Sequence, residues 1–178
     1  NILNAKTSGV ITATINENAA STLAGLDVSR GSTANAYSVT VGDSEPTAAI
    51  LNTIDGLTSA AVNIASATKI TGTLDETHTL YANKANFSGI GDEAVTVTST
   101  VLDAAKVTEL NADTTGMITF SNTITAFSGD AAQVHTLLDD SASNGGAGTG
   151  INGLNPTATI TVSGDKTDGD IQATDLEA

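Results

Sequence analysis

The chain repeats itself, and a unit too short to fold alone restricts the architecture to units that bury their apolar faces on one another. Gly72 with His78-Thr79-Leu80 recurs as Gly129 with His135-Thr136-Leu137, 57 residues further on. Half that spacing appears as well. Asp103-Ala-Ala-Lys-Val107-Thr-Glu-Leu110 is echoed by Asp130-Ala-Ala-Gln-Val134-His-Thr-Leu137, 27 residues later. The basic unit is therefore about 28 residues long.

Counting back seven positions from Leu23, Leu51, Leu80, Leu110 and Leu137 reaches Asn16, Ser44, Thr73, Asp103 and Asp130. All five are residue types that cap helix N-termini, where a side-chain oxygen takes up a free backbone N–H. Thr73 with Glu76, and Asp130 with Gln133, also carry the reciprocal capping-box pattern. Each cap predicts a helix of about two turns. Ahead of each cap runs a β-branched stretch with period-two alternation: Ile11–Ile15, Ser38–Val41, Thr68–Thr71, Ala94–Thr98 and Ile118–Phe127. Thr159–Val162 makes a sixth. Helices and strands this short do not persist singly. The expected fold is a repeat solenoid of parallel β-strands alternating with short helices, a β-solenoid or leucine-rich-repeat-like α/β coil. It would have about six coils of roughly 28 residues, forming one segment over residues 1–178 with repeat boundaries near 38, 94 and 158. The strand residues Val39, Val41, Ile70, Val95, Val97, Ile118, Phe120 and Ile160, with the five leucines, are its expected core.

Composition agrees with a core of small side chains. Thr and Ala make up about a third of the chain, there is no Trp or Cys, and aromatics are 3% of residues. A net charge of −14 disfavours nucleic acid and anionic lipid surfaces as partners. No apolar run approaches the ~18 residues of a membrane-spanning helix, so no membrane insertion is expected. Without Cys there are neither disulfides nor thiolate metal sites.

Two inserts lengthen the repeat and are expected as loops: residues 28–36, which hold the only Arg (Arg30), and residues 141–153, which hold Asn144-Gly-Gly-Ala-Gly-Thr-Gly150. The two ends complete each other. Joined, they read Thr174-Asp-Leu-Glu-Ala178-Asn1-Ile2-Leu3, a cap residue seven positions before a Leu like the other five. The expectation is a unit cut in mid-helix, with Asn1, Ile2, Leu3, Asp175, Leu176 and Ala178 forming an interface between copies joined head to tail.

Little in the chain carries chemistry. No nucleophile elbow and no HExxH occurs, and the glycine run at 145–150 lacks the Lys-Ser/Thr of a phosphate loop. His78 and His135 occupy equivalent repeat positions, which would hold them two units apart and prevent them from sharing a metal. An enzyme is not expected, because clustered acids, bases and sugar-stacking aromatics are scarce. Asp165, Asp168 and Asp170 set three carboxylates around Gly169, an oxygen-rich turn that either takes Ca2+ or stays a solvated acidic turn; the spacing is not that of an EF-hand. Otherwise no cofactor is expected. The single sequon, Asn86-Phe87-Ser88, is at chance frequency in so Thr- and Asn-rich a chain, and glycosylation stays unassigned.

Gly89-Ile-Gly-Asp-Glu-Ala-Val-Thr-Val-Thr98, with Leu51-Asn-Thr-Ile-Asp-Gly-Leu57 and the Ile70-Thr-Gly-Thr73 turn, resembles repeats of very long secreted or cell-surface proteins of bacteria, of a cyanobacterial type. The likeness covers most of residues 38–140. It implies an extracellular or cell-surface location and a structural or adhesive role, and it carries over no catalytic residue. Two functions follow as expectations: a structural segment of an extracellular filament or surface layer that assembles head to tail with copies of itself, or an adhesin module whose loops contact glycan or another cell.

Overall fold

The computed structural model describes residues 9–26, 35–130, 132–135, 137, 150–152 and 159–162. Its first half holds β1 (Thr12–Thr14), α1 (Ala20–Leu23), β2 (Ala36–Ser38), α2 (Ala48–Asp55), β3 (Val62–Asn63), β4 (Lys69–Gly72) and α3 (Leu74–Ala82). A 3-10 turn (Lys84–Asn86) leads to β5 (Phe87–Ser88), β6 (Ala94–Val97), β7 (Val101–Asp103) and α4 (Ala104–Asp113). Then come β8 (Met117–Phe120), β9 (Ala126–Gly129), β10 (Gly150–Asn152) and β11 (Thr159–Val162).

All strand pairing is parallel, as it must be when each strand returns through a crossover rather than a hairpin. The strands fall into four separate sheets: β1-β2, β10-β8-β6-β4, β11-β9-β7 and β3-β5. This corrects the expected fold class. The described residues form a mixed α/β fold of small parallel sheets and short helices, not a six-coil solenoid, and no closed or continuous solenoid sheet runs through them. The spacing changes too. Lys69 stands opposite Ala94 and Val95 opposite Ile118, offsets of 25 and 23 residues, both shorter than the roughly 28 read from the helix caps.

The reason lies in the corners. Ile118–Phe127 is not one strand but two, β8 and β9, which belong to different sheets. Between them polar side chains bond the main chain of the preceding unit. Asn122 Nδ2 donates to Thr98 O, and Thr125 Oγ1 to Thr100 O at 3.0 Å. Ile124 turns inward and is buried. The same break separates β6 from β7. Both expected loop inserts also enter the fold in part. Ala36 pairs with Thr12, and Gly150–Asn152 extends the largest sheet by pairing with Met117–Thr119.

Inside runs one hydrophobic cluster. Val39, Val41, Ile70, Val95, Val97, Ile118 and Phe120 are buried, and so are Leu23, Leu51, Leu80, Leu110 and Leu137. Ile160 lies in β11 opposite Phe127. Each fully buried Leu or Ile contributes about 1.5–3 kcal/mol. Glycine matters where backbones touch. A Cβ on Gly116 would fall on the Glu93 carbonyl, and one on Gly89, whose φ is +76°, would come within 2.7 Å of Ala65 Cα.

The helices begin in two ways. Thr73 caps α3 with a complete capping box, and Asp103 Oδ1 takes the Ala105 and Lys106 N–H groups at the start of α4. Asp130 and Gln133 exchange the same reciprocal pair of bonds, at 2.8 and 3.0 Å. The other two caps fall three residues later than expected. At α2 the cap is Thr47 rather than Ser44, whose carbonyl instead accepts from Thr68 and Lys69 N–H. At α1 it is Ala19 rather than Asn16. Ala19 has no capping side chain, and Ala20 N–H is taken by Asp43 Oδ2 at 2.7 Å.

Candidate functional site

Two polar places stand out from the apolar interior. One is closed. Tyr81 on α3 and Glu93 before β6 are both buried, Glu93 at 2% exposure. The Tyr81 hydroxyl donates to Glu93 Oε2 at 3.1 Å and Gly91 N–H donates to the same oxygen at 2.8 Å. Glu93 Oε1 has no partner among the described residues. Burial, and next the negative charge of Glu93, push the Tyr81 phenol far above its usual range. Thr114 Oγ1 donates to Gly91 O and accepts from Gly116 N–H. A phenol held this firmly in its neutral form is a donor that does not ionise near neutrality. The network ties the Gly91–Glu93 turn to the Thr114–Gly116 turn, 23 residues on, and serves as a fastening.

The other place is open. A cleft of about 230 Å3 lies between the end of α2 and the 3-10 turn, lined by Asp55, Thr58, Ser59, Ala60, Ala61, Ala85 and Asn86. Asn86 Nδ2 donates to Asp55 Oδ2 at 3.1 Å across a sequence separation of 31 residues. Thr58 forms a fixed wall, because its hydroxyl accepts from Tyr37 N–H and donates to Tyr37 O. A second, shallower groove of about 290 Å3 beside α4 is lined by Ala105, Thr108, Glu109, Asp130, Ala132 and Gln133.

His78 Nε2 lies 2.7 Å from Glu109 Oε2, linking α3 to α4, and the Lys106–Asp75 and Lys84–Asp113 pairs flank it. His135 is exposed on a helical stretch. Among the described residues no three His, Asp or Glu side chains gather as a metal set. The expected Ca2+ turn, Asp165, Asp168 and Asp170, lies outside the described residues. So do the expected assembly residues Asn1, Ile2, Leu3, Asp175, Leu176 and Ala178.

Sequence reasoning did not find the cleft. Asn86 was notable there only as a sequon, and nothing links it to Asp55 until the fold brings the end of α2 to the turn before β5. The Tyr81–Glu93 pair was equally hidden. Its only trace is an acidic residue, Glu93, directly before a strand pattern. No helix among the described residues is long and apolar enough to cross a membrane. Comparison with protein-family models, with curated proteins and with solved structures finds no match to the chain.

Proposed function

We propose that the chain is a structural segment of an extracellular filament or cell-surface layer whose copies meet end to end. The observation that supports this reading is that units complete one another's helices from the C-terminal side. Ala20 N–H at the start of α1 is taken by Asp43 Oδ2 at 2.7 Å, and Leu74 N–H at the start of α3 by Ser99 Oγ at 2.9 Å, each supplied by the following unit. Contacts of this kind between successive units are ones that a unit of one copy and a unit of another can also make. The acidic surface keeps neighbouring fibres apart unless divalent cations bridge them.

Sedimentation velocity over a concentration series, with electron microscopy of the same samples, tests the reading. Concentration-dependent linear assemblies are expected. A monodisperse monomer at every concentration would defeat it and favour a free-standing binding module.

A further inference from the structure

We propose that the cleft between the end of α2 and the turn before β5 binds one neutral sugar residue, gripped through adjacent hydroxyl groups by Asp55 and Asn86. The inference goes beyond end-to-end assembly and does not depend on it.

The cleft's chemistry narrows the ligand class step by step. Its polar groups are one carboxylate, one carboxamide and hydroxyls, and no cationic side chain lines it. Asp55 and the overall charge of −14 repel anions such as phosphate. The apolar part of the wall is three alanine methyls, Ala60, Ala61 and Ala85, too little to hold an aromatic or aliphatic ligand by burial alone. A hydroxyl-rich ligand fits what remains, because each hydroxyl both donates and accepts.

The polar groups are also held in place. The Asn86–Asp55 bond fixes the two planar groups relative to each other, across elements 31 residues apart in sequence. It uses Asp55 Oδ2 and one Asn86 N–H. Asp55 Oδ1 and the Asn86 amide oxygen carry no other hydrogen bond among the described residues, and these two acceptors match the O–H donors of a vicinal diol. Ser59 Oγ is held only by a long bond of 3.5 Å to Asn35 O, which leaves it free to turn toward a ligand. At about 230 Å3 the space is below the range of pockets that enclose drug-sized ligands, and one ring fills it. With one side open and few contacts, affinity is expected on the order of millimolar.

The test is an amide-resolved NMR titration of the full chain, dispersed at low concentration, with the methyl glycosides of glucose, mannose, galactose and N-acetylglucosamine. Calcium chloride and ethylammonium chloride serve as cation probes. Saturable shifts confined to the amides of Ser59, Ala60, Ala61, Ala85 and Asn86 are expected with at least one sugar. Asp55→Ala and Asn86→Ala should each weaken that response about tenfold or more, and Ser59→Ala a few-fold. If Asp55→Ala does not fold, Asn86→Gln and Ser59→Ala carry the test, with an unchanged melting curve as the control. The proposal is overturned if no sugar gives saturable shifts, if the shifts survive in the variants, or if only the cations saturate the cleft. Dispersed subunits report sugar binding whether or not filaments form, so failure here and failure of end-to-end assembly are read separately.

Discussion

Helices α1 and α3 occupy equivalent places two units apart in the repeat, with α2 between them, yet they are built by different means. α3 has nine residues, starts on its own capping box and buries Leu74, Thr77, Leu80 and Tyr81. α1 has four residues and no capping side chain, and it buries Ala20 and Leu23. What α1 lacks locally it takes from a distance. Glu17 Oε1 accepts from Asn18 and Ala19 N–H at 2.8 Å each, and Asp43 from the following unit accepts from Ala20. Those backbone bonds hold the Glu17 carboxyl below its usual range. A helix of four residues cannot offset its own nucleation cost, so its existence depends on its neighbours. The comparison separates two sources of order: α3 is encoded mainly by itself, α1 mainly by the unit that follows it.

The largest expected effect tests whether both helices belong to one core. Leu80→Ala should cost about 2–5 kcal/mol, because a fully buried side chain leaves a cavity that the flanking helices α2 and α4 restrain from closing. Leu23→Ala should fall at the low end of that range. Leu23 is equally buried, but its short helix can collapse into the gap. Urea denaturation of both variants gives the comparison. Equal losses would mean that α1 is as firmly packed as α3.

The same contrast decides what the sequence could reveal. The α3 cap was legible because Thr73 and Glu76 are three residues apart and bond each other, and Asp103 and Asp130 were legible for similar reasons. Asn16 misled because the acceptor that α1 uses is Asp43, more than twenty residues away. Ser44 misled because the chain runs on through Pro46 before α2 begins, and the Ser44 carbonyl is already engaged. Alternation identified Val39, Val41, Ile70, Val95, Val97, Ile118 and Phe120 as buried, since burial on one face of a strand has period two whatever the sheet, while the burial of Ile160 lies outside what is described. It could not show how the strands are shared among four sheets. That depends on corners such as Ser121–Thr125, where hydroxyl and amide side chains bond another unit's main chain. The cleft was illegible for the same reason: its two principal residues meet only through tertiary structure.

A smaller effect sharpens the local-versus-borrowed distinction. Thr73→Ala removes the side chain that accepts from Glu76 N–H and should cost about 1 kcal/mol. Asp43→Ala removes the acceptor for Ala20 N–H and should cost a similar amount, although Asp43 is outside α1. Hydrogen exchange tells the two apart. Thr73→Ala should loosen amides in α3 itself, whereas Asp43→Ala should loosen α1 and leave its own neighbourhood protected. Placing a cap within α1, as Ala19→Asp, should recover part of the loss in the Asp43→Ala background. No recovery would mean that Asp43 acts through something other than the Ala20 N–H.

The smallest expected effect comes from the exposed ion pairs that join α3 to α4, which α1 and α2 have no equivalent for among the described residues. The Lys106–Asp75 bond lowers the Asp75 carboxyl and raises the Lys106 ammonium. Asp75 therefore contributes stability that is present above the ordinary carboxylate range and lost as the pH falls through its lowered value. Lys106 contributes stability present below the ordinary ammonium range and lost as the pH rises through its raised value. Between these limits the contribution is constant. Both side chains are well exposed, so solvent screens the pair and its effect should be smaller than that of either cap. Melting temperatures of the native chain and of Lys106→Met, followed from acid to alkaline pH, should differ slightly near neutrality and converge at both extremes. Salt at about 1 M should remove the difference at neutral pH, because screening then acts over roughly 3 Å. A difference that survives high salt would assign the effect to packing of the Lys106 stem across α3 and α4, and the contrast between the two ends of the repeat would then rest on apolar contact rather than charge.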